Sequence, residues 1–557
     1  MNSLNYMLNK FLPRIDFESY EDFKQNYKLN IPDGFNFAYD VVDEWARVFP
    51  DKKALIHCDD DFNIETYTFS QISKMSNKAA NAFTRLGIKK GDKVMLILRQ
   101  RAEVWVSFLA LHKIGAVCIP ATFQLTAKDI VYRCDSAGIK MICCVDQDDI
   151  VEHIIESRDK CRTLEKVCIV GDKIPEGMLD LRHEFEISDD TFERIPNHIN
   201  DPMLMYFSSG TTGMPKMILH DFTYPLGHIV TAKYWQKIQD NGVHLTMADS
   251  GWAKFGWGKI YGQWICGTAI VAYDDKKFVP ANLMKAIGIL KLTTFCAPPT
   301  IFRFLIKEDL SKGDFSSIKH CTTAGEPLNA EVFNKFYEAT GLKITEGFGQ
   351  TETSVLIANF EWFDIQPGST GKPSPLYDID IVDENGVHCE DGVVGSIVVK
   401  NASSLHPAGL FREYVNDPET MNKVWVNGVY NTGDVAWRDA DGYFHFEGRN
   451  DDVIKCSGYR IGPFEVESAL LTHPAVLECA VTAAPDPVRG QVVKATIVLT
   501  KGYSPCDQLT KELQNHVKAV TAPYKYPRIV EYCDELPKTI GGKIKRKEIR
   551  LKDSENK

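Results

Sequence analysis

The sequence predicts an α/β protein with a large N-terminal domain of α/β layers, a small β-barrel-like region and a small α+β C-terminal domain. Short β-prone runs alternate with helical patterns early in the chain, which is typical of α/β layers. The length of 557 residues exceeds what one compact core usually organises, so two or more domains are expected. Closely spaced Asn-Gly and Asp-Gly turns further along the chain predict the β region.

The N-terminal elements follow from hydrophobic patterning. We expect strands at Val94–Leu98, Val117–Ile119 and Met141–Val145, with an amphipathic helix near Val104–Ile114 and another from Ala127. Strands that alternate with helices form βαβ units, so these three strands are expected to run parallel in one sheet.

The later elements have a different character. Turns at Gly386, Gly392 and Gly395 separate short β-prone runs, which predicts an antiparallel region near Gly386–Lys400. The C-terminal part looks self-contained, since it carries its own set of elements. We expect there a helix from Phe464, strands near Cys479–Thr482 and Val492–Thr500, a helix at Gln508–Val520 and a basic tail.

A polar, glycine-led segment separates the two parts of the chain. Because Gly448–Lys455 lies between two folded-looking regions, we expect the boundary there, with residues 1–450 in the N-terminal domain and 451–557 in the C-terminal domain. Clefts commonly form between domains, so a ligand site is expected close to this boundary.

Composition narrows the class of protein. The net charge of -11 is spread without a long single-sign block, which argues against a nucleic-acid or membrane-surface protein. The 15 cysteines include no Cys-x-x-Cys pair, which favours reduced thiols over a disulfide scaffold. We find no signal peptide and no apolar run near the ~18 residues of a membrane span. A cytoplasmic location is therefore expected.

Residues 206–216, Tyr-Phe-Ser-Ser-Gly-Thr-Thr-Gly-Met-Pro-Lys, suit a loop that wraps a polyphosphate. Glycines let the backbone approach closely, hydroxyls donate hydrogen bonds and a lysine adds charge. The glycines are three residues apart and Met217 follows the lysine, so this is not a Walker loop. A Ser/Gly-rich surface turn is the alternative. The expected phosphate contacts are Ser208, Ser209, Gly210, Thr211, Thr212, Gly213 and Lys216.

Three further segments carry groups that suit nucleotide chemistry. In Gly347–Glu352, Phe348 can stack on a base, Thr351 can donate to phosphate and Glu352 can hold Mg²⁺. Asp434 follows a glycine turn and suits ribose hydroxyls, although such an aspartate is often only a turn former. Near the C-terminus, Lys543 lies on a Gly-Gly turn in a basic tail that is otherwise typical of a solvated surface.

Taken in order, these segments resemble the AMP-forming adenylating superfamily of acyl-CoA synthetases, luciferases and peptide-synthetase adenylation domains. They are similar to its phosphate loop, its adenine and magnesium motif, its ribose aspartate, its hinge motif and its C-terminal catalytic lysine, across nearly the whole chain. Within the superfamily the chain looks most like medium-chain acyl-CoA synthetases. The segments that carry this likeness are Ala248–Trp252, Ser457–Pro463, Asp486–Gly490 and Thr521–Arg528.

The resemblance implies a two-step ligase. ATP would activate a short- to medium-chain carboxylic acid, branched and aromatic acids included, to an acyl-AMP with release of pyrophosphate, and CoA would then take the acyl group and free AMP. ATP and CoA are the implied cosubstrates and Mg²⁺ the implied cofactor. The implied partners are these small molecules, with no nucleic-acid partner and no membrane span. An oligomer is compatible with the resemblance.

The resemblance also implies roles for single residues. Lys543, Thr351 and Glu352 would be catalytic, Glu352 would ligate Mg²⁺, and Asp451 would be the hinge of a mobile C-terminal domain. Besides the phosphate loop, the residues expected to bind ATP are Gly325, Glu326, Pro327, Glu346, Gly347, Phe348, Gly349, Gln350, Asp434, Arg449 and Arg460. Those expected to bind CoA are Gln124, Ser457, Gly458, Tyr459, Arg489, Lys518, Tyr526, Pro527 and Arg528. Those expected to line the acyl pocket are Trp252, Lys254, Trp257, Cys296 and Gly325.

Two departures and three alternatives qualify this interpretation. Gly541 stands where the family usually has Ser or Thr, so the loop with Lys543 is expected to be more mobile. Gly347-Phe348-Gly349 replaces the Trp-Trp of acetate-specific relatives, which disfavours acetate. The alternatives are an enzyme that loads a carrier protein, a luciferase-like oxygenase and a non-catalytic nucleotide-sensing scaffold.

Overall fold

A computed structural model describes residues 3–147, 149–208, 214–400, 402–456, 459–486, 489–538 and 544–555. Within these ranges the α/β prediction is confirmed, since two large mixed sheets with flanking helices precede two smaller five-stranded sheets. None of the helices in the described part of the chain is long and apolar enough to cross a membrane.

The strands of the two large sheets lie between residues 53 and 414. They are β1 (Lys53–Asp59), β2 (Ile64–Thr68), β3 (Lys93–Ile97), β4 (Val117–Pro120), β5 (Ile139–Val145), β6 (Lys166–Val170), β7 (Leu179–Asp180), β8 (Pro202–Ser208), β9 (Lys216–Asp221), β10 (Val243–Thr246), β11 (Ala269–Asp274), β12 (Thr294–Cys296), β13 (His320–Ala324), β14 (Ile344–Phe348), β15 (Ile357–Ala358), β16 (Lys372–Pro373) and β19 (Glu413–Tyr414). The two smaller sheets contain β17 (Asp378–Val382), β18 (Gly395–Lys400), β20 (Trp425–Val426), β21 (Val429–Arg438), β22 (Phe444–Arg449), β23 (Ile454–Cys456), β24 (Tyr459–Ile461), β25 (Val476–Asp486), β26 (Gly490–Leu499) and β27 (Ile529–Tyr532).

The α-helices flank these sheets. They are α1 (Ser3–Leu8), α2 (Tyr20–Asn26), α3 (Glu44–Val48), α4 (Phe69–Arg85), α5 (Ala102–Ile114), α6 (Ala127–Ala137), α7 (Ile150–Arg158), α8 (Leu181–Glu186), α9 (Tyr224–Ile229), α10 (Ala253–Gly258), α11 (Tyr261–Ile265), α12 (Pro280–Leu290), α13 (Pro299–Leu305), α14 (Ala330–Thr340), α15 (Ala402–Leu405), α16 (Pro418–Val424), α17 (Pro463–Leu471), α18 (Asp507–Val520) and α19 (Arg546–Glu555). Short π-helical turns occupy Ala38–Asp43 and Val230–Trp235, and 3-10 turns occupy Leu310–Lys312 and Pro523–Lys525.

The predicted βαβ region forms the centre of one large sheet. Its strand order is β19-β9-β8-β4-β3-β5-β6-β7, and β3 pairs in parallel with both β4 and β5 as expected. Helix α6 begins at a capping box of Thr126 and Asp129, and α5 ends at Gly115 in the left-handed region. These local signals explain why the elements begin and end close to the predicted residues.

The other large sheet carries the adenine-motif strand. Its order is β16-β15-β14-β13-β12-β10-β11-β1-β2, with β10 to β14 parallel at its centre. The carboxyl ends of these strands point to one edge, where ligand sites of open α/β sheets commonly lie. After β14 the chain adds the short strands β15 and β16 to this sheet, and it then enters the third sheet at β17.

The third sheet is the predicted β region, and it is larger than the turns between Gly386 and Lys400 indicated. Antiparallel strands β17, β18, β21 and β20 form it, and β22 is added on β21. Its register places Asp434 opposite Arg449. The pairing of β21 with β22 therefore brings these two residues together, although the turn of the hairpin separates them in the sequence.

The last sheet lies beyond Asp451 and has its own core. Its strands run in the order β24-β23-β26-β25, with β27 on β26, and α17 and α18 pack on it. A separate cluster of buried apolar residues, from Ile454 to Val517, fills the space between them.

Cysteine exposure differs between the parts: Cys506, before α18, is exposed and Cys533 is half-buried, whereas the other cysteines are buried.

Candidate active site

The site is centred where the end of β14 meets β21. The side-chain amide of Gln350 donates to the Thr432 carbonyl at 2.8 Å and also to the Asp434 carboxylate. The Tyr430 hydroxyl donates to Gln350 Oε1 at 2.6 Å, so both ends of this amide are held. The adenine motif and the expected ribose aspartate are thereby joined directly.

Asp434 is a buried carboxylate with a cation at its side. Its side chain is 6% exposed, and Arg449 Nη1 lies 3.5 Å from Asp434 Oδ2. The same nitrogen donates to the Thr432 carbonyl at 3.2 Å, which fixes the guanidinium over the turn. Arg449 Nε also lies 3.8 Å from the Asp451 carboxylate. Carboxylate oxygens accept hydrogen bonds, so the chemistry of Asp434 suits the hydroxyls of a diol.

Glu352 is held from the edge of the phosphate-loop sheet. Tyr414 donates its hydroxyl to Glu352 Oε1 at 2.7 Å, and the Phe411 N–H donates to the Glu352 carbonyl at 2.7 Å. Lys216 Nζ lies 5.0 Å from the centre of the Tyr414 ring, within cation–π range. One tyrosine therefore contacts both the expected metal ligand and the lysine that ends the phosphate loop.

Thr351 is positioned through its backbone by a neutral histidine. His220 Nε2 and the Thr351 carbonyl are 2.8 Å apart. Burial lowers the pKa of His220 to about 3, so the ring is neutral and Nε2 must carry the proton that it donates. The Tyr224 ring packs 4.0 Å from the His220 ring and fixes its plane.

The Gly325-Glu326-Pro327 turn depends on glycine. Gly325 has φ +101°, and a Cβ there would lie 2.9 Å from Lys254 Nζ. Lys254 donates to the Ala324 carbonyl, so the lysine passes directly across the turn. Glu326 accepts from Arg303 at 3.0 Å and is tied to α13. Only glycine combines this backbone conformation with this close approach.

Glu346, which the sequence assigned to ATP binding, is placed beneath that turn. Its carboxylate accepts from the Leu328 N–H at 2.8 Å and from the Thr370 hydroxyl at 3.1 Å. Burial raises the pKa of Glu346 to about 7 against the effect of these two donors. Through these contacts the Glu346 side chain supports the chain that follows the Gly325-Glu326-Pro327 turn.

Two tryptophans pack against the backbone of the adenine motif. A Cβ on Gly347 would lie 2.5 Å from the Trp235 ring, and one on Gly349 would lie 2.3 Å from Trp257. Trp257 also donates its indole N–H to the Thr353 carbonyl at 3.1 Å. Phe348 lies between these glycines with its ring 5.6 Å from Phe446. The glycines thus let both indoles reach the main chain.

Most of the residues expected to line the acyl pocket lie on or next to two elements, α10 and β12. Trp252 precedes α10, whereas Lys254 and Trp257 lie on it, and the buried Cys296 ends β12. Trp235 ends a π-helical turn and stands 6.3 Å from Trp257, with the planes nearly perpendicular. No role was assigned to Trp235 from the sequence. Its position becomes evident in the structure, where the buried indole packs against Gly347.

Several of the expected CoA residues group together in the C-terminal part. Lys518 Nζ lies 4.1 Å from the centre of the Tyr526 ring, and Arg528 donates to the Tyr526 hydroxyl at 2.6 Å. Pro527 offers its carbonyl to Gln514 at 3.0 Å. Arg489 adjoins β26, and the exposed Gln124 follows β4. These cations and this ring could take an anionic nucleotide, and Gln124 lies on the N-terminal part.

Other expected contacts are described only in part. Ser208 and Lys216 pair across β8 and β9, so the two ends of the phosphate loop are adjacent. Tyr459 and Arg460 pair with Cys456 and Lys455 across β23 and β24. The expected contacts outside the described residues are Ser209, Gly210, Thr211, Thr212, Gly213, Ser457, Gly458 and Lys543.

Mg²⁺ fits this site through one carboxylate. In the described part of the chain, no three His, Cys, Asp or Glu side chains are grouped to hold a metal ion. Mg²⁺ commonly takes one or two carboxylates together with substrate phosphates and water. Glu352, beside the end of the phosphate loop, matches that donor set.

Comparison with known families gives matches over most of the chain. The sequence profile of the family described as AMP-binding enzyme matches residues 42–415, and the profile of the AMP-binding enzyme C-terminal domain matches residues 465–543. These two regions flank the Asp434 and Arg449 pair.

Curated relatives match at almost full length. The mouse protein acyl-coenzyme A synthetase ACSM3, mitochondrial, is 41% identical over 97% of this chain and 94% of its own length. The human acyl-coenzyme A synthetase ACSM4, mitochondrial, is 39% identical over 95% and 93% of the two chains. Their names place these relatives in mitochondria, which contradicts the cytoplasmic location predicted from the sequence.

Solved structures give the same picture. The anthranilate CoA ligase AuaEII in complex with anthranoyl-AMP superposes with a TM-score of 0.87 at 30% identity, over 94% of this chain and 98% of that one. A benzoate CoA ligase from Burkholderia xenovorans LB400 superposes with a TM-score of 0.81 at 25% identity, over 93% of this chain and 100% of that one.

Proposed function

The chain belongs to the AMP-binding enzyme family and is an adenylate-forming acyl-CoA synthetase that uses ATP, Mg²⁺ and CoA, and from this premise we propose which residues carry its two steps and which acids it takes. The observation that carries the assignment of residues is the network of Gln350, Asp434, Tyr430 and Arg449. It joins two motifs that are remote in sequence into one pocket wall.

The first step activates the carboxylate. Its oxygen attacks the α-phosphorus of ATP, the bond to the β-phosphate oxygen breaks, and pyrophosphate leaves from an acyl-AMP. Two anions must approach each other, so positioning and positive charge lower the barrier. We assign Lys543 to the meeting point of the substrate carboxylate and the α-phosphate, and the loop from Ser208 to Lys216 to the departing pyrophosphate.

The adenosine end of ATP is held by the protein core of the site. Asp434 would accept from the ribose hydroxyls, with Arg449 fixed beside it. Phe348 and the turn at Gly325 would flank the adenine, and Glu346 would support that turn from below. All of these groups are already held by protein partners, so little reorganisation is needed when the nucleotide binds.

Glu352 would ligate Mg²⁺. Tyr414 donates to one of its carboxylate oxygens, and the other would serve the metal. When bound, Mg²⁺ neutralises phosphate charge and orients the leaving pyrophosphate. Thr351, whose carbonyl is fixed by His220, would donate its hydroxyl to phosphate.

The second step needs a different set of groups at the acyl carbon. The CoA thiol adds to the acyl carbonyl, AMP leaves, and the thiol proton is lost to solvent. We propose that residues 451–557 rotate about Asp451 against residues 1–450, which removes Lys543 and brings in the loop Ser457–Tyr459. Gly458 would let pantetheine pass, and Arg460 would face AMP. The CoA nucleotide would contact Gln124, Arg489, Lys518, Tyr526, Pro527 and Arg528.

The acid is proposed to be short to medium in chain length, with branched and aromatic acids included. Trp235 and Trp257 pack directly on the backbone at Gly347 and Gly349, and their bulk beside the adenine motif supports a compact acyl group. The names of the similar anthranilate and benzoate ligases support compact aromatic acids. Longer medium-chain acids require Trp257 to turn away.

A screen of carboxylic acids tests this proposal. Straight acids from acetate to dodecanoate, branched acids and benzoates would be supplied with ATP and Mg²⁺, and pyrophosphate and acyl-CoA would be measured with and without CoA. We expect highest kcat/KM for compact acids of intermediate size. Preference for dodecanoate would contradict the pocket assignment, and transfer to a carrier protein in preference to CoA would favour the alternative loading function.

A further inference from the structure

Glu447 contacts the chain on both sides of the proposed boundary. It lies on β22, where Trp437 donates its indole N–H to Glu447 Oε1 at 3.0 Å. Its other oxygen faces Gly462, where a Cβ would lie only 2.3 Å from Oε2. A glycine at position 462 is therefore what allows the two parts to meet here.

An ion pair of the C-terminal part lies close to this contact. Lys525 forms an ion pair with Glu465, and the side chains of the two residues are 16% and 36% exposed. Burial is the largest cause that raises the pKa of the Glu447 carboxyl, and the Glu465 carboxylate raises it further. Lys525 acts in the opposite direction and lowers it. The charges of Glu465 and Lys525, which follow Asp451 in the chain, therefore act on Glu447, which precedes it.

Helix α17 also touches the large part a second time. Asn329 Nδ2 donates to the Ser468 carbonyl at 3.2 Å. Through its Oδ1, Asn329 accepts from the Glu331 N–H at 2.7 Å and caps α14, which follows the adenine turn. The helix is therefore seated on β22 near its start and on α14 further along.

These contacts belong to one arrangement of the two parts. Glu447 and Asn329 precede Asp451, whereas Gly462, Glu465 and Lys525 follow it. Rotation about Asp451 would carry the second set away from the first. The Glu465 to Lys525 pair would travel together, whereas the contacts with Glu447 and Asn329 would break.

We propose that Glu447, Gly462, Glu465 and Lys525 form an interdomain latch that holds the arrangement seen here and sets the balance between acid activation and thioester formation. The latch rests on the hinge proposed at Asp451. Its members are positioning residues, since they reach neither ATP nor the acid directly. Without Lys525 the Glu465 carboxylate would lose its ion-pair partner in the arrangement that brings it near Glu447, which disfavours this arrangement.

The test measures the two half-reactions separately. Acid-dependent ATP–pyrophosphate exchange reports the first, and single-turnover transfer from synthetic acyl-AMP to saturating CoA reports the second. We expect Lys525→Met to move the two rates in opposite directions and to change their ratio by roughly fivefold. Glu447→Gln keeps the shape of the side chain and removes its charge, so it should change the ratio in the other direction and reverse the defect in the double variant.

A matched control is Lys423→Met, since Lys423 and Glu419 form an exposed pair on α16 at 2.6 Å. That variant should leave the ratio unchanged. If the latch variants change both rates by the same factor, or change neither, the latch is wrong. If Lys525→Met does not fold, Glu447→Gln alone decides, because an unchanged ratio would overturn the proposal. Failure of the hinge is separate: Asp451→Pro would then leave the ratio of the parent enzyme intact.

Discussion

Tyr414 and Glu352 meet through a hydrogen bond that the sequence does not suggest. Tyr414 lies on β19, which pairs with the outer edge of β9, so the strand that closes the phosphate loop also brings the tyrosine to the carboxylate. Buried tyrosine hydroxyls generally find a partner, but their partner is set by strand pairing rather than by local pattern. The motif residues could therefore be predicted, whereas the groups that hold them could not.

Removing the Tyr414 hydroxyl tests this contact. In Tyr414→Phe the ring beneath Lys216 remains but Glu352 loses a donor, so we expect the Mg²⁺ concentration for half-maximal activity to rise several-fold, equivalent to about 1 kcal/mol. Tyr443→Phe is the matched control, because its hydroxyl donates to the Asp364 carbonyl at 2.9 Å, away from the site. An unchanged Mg²⁺ dependence in Tyr414→Phe would argue against a metal at Glu352.

Glu346 gives a pH-dependent prediction. Burial raises its pKa to about 7 in the folded protein from 4.5, so its contribution to stability is fully present below about pH 4.5 and is lost as pH rises through about 7. Glu346→Gln removes this titration. We expect the free energy of unfolding of the variant to exceed that of the parent increasingly from pH 5 to pH 8, by on the order of 3 kcal/mol.

Urea unfolding of both proteins at several pH values measures that difference. Thr370→Val serves as a control, since it removes one donor to Glu346 without removing the ionisable group. The expectation fails if the difference between parent and Glu346→Gln stays constant across this pH range.

At the scale of elements, the helices and strands were predictable where hydrophobic period and caps agree. The bounds of the expected strands of the first βαβ units and of the helix at Gln508–Val520 lie within about two residues of the observed bounds. The π-helical turn Val230–Trp235 could not be foreseen, because it is stabilised by packing rather than by local propensity. Because this turn positions Trp235, the packing of Trp235 beside Trp257 was not predicted from the sequence.

Helix α10 supplies the prediction at this scale. Trp257→Leu would open the space next to Gly349, so we expect the kcat/KM ratio of octanoate to butyrate to rise about tenfold, at a cost in stability of about 2–4 kcal/mol. The acid series used above measures the ratio. Trp362→Leu is the control, since that indole donates to the Phe17 carbonyl at 3.1 Å outside the site. A shift toward shorter acids would show that Trp257 does not limit chain length.

At the scale of the whole molecule, the order of motifs predicted the family and the two-part organisation. Contacts across the parts were not predictable, because Glu447 and Gly462 meet through the path of the chain around Asp451. The expected cytoplasmic location was wrong, since the names of the curated relatives are mitochondrial and composition alone does not determine the compartment. In the mechanism proposed above, function at this scale depends on a rotation of the two parts about Asp451.

The hinge prediction belongs here. Proline fixes φ, so Asp451→Pro should retain acid-dependent ATP–pyrophosphate exchange and lower the rate of thioester formation at least tenfold. Asp451→Ala, which removes the carboxylate near Arg449 but leaves the backbone free, is the control and should retain both steps. Equal loss of both half-reactions in Asp451→Pro would argue against a hinge at this residue.

The pattern of cysteine burial makes such motion directly observable. Cys506 is exposed before α18 in the C-terminal part, Cys533 is half-buried, and the remaining cysteines are buried. A maleimide dye should therefore react fastest at Cys506 in the native protein. Paired with a fluorescent ATP analogue in the N-terminal part, that dye would follow the separation of the two parts by energy transfer during turnover, with no cysteine introduced or removed.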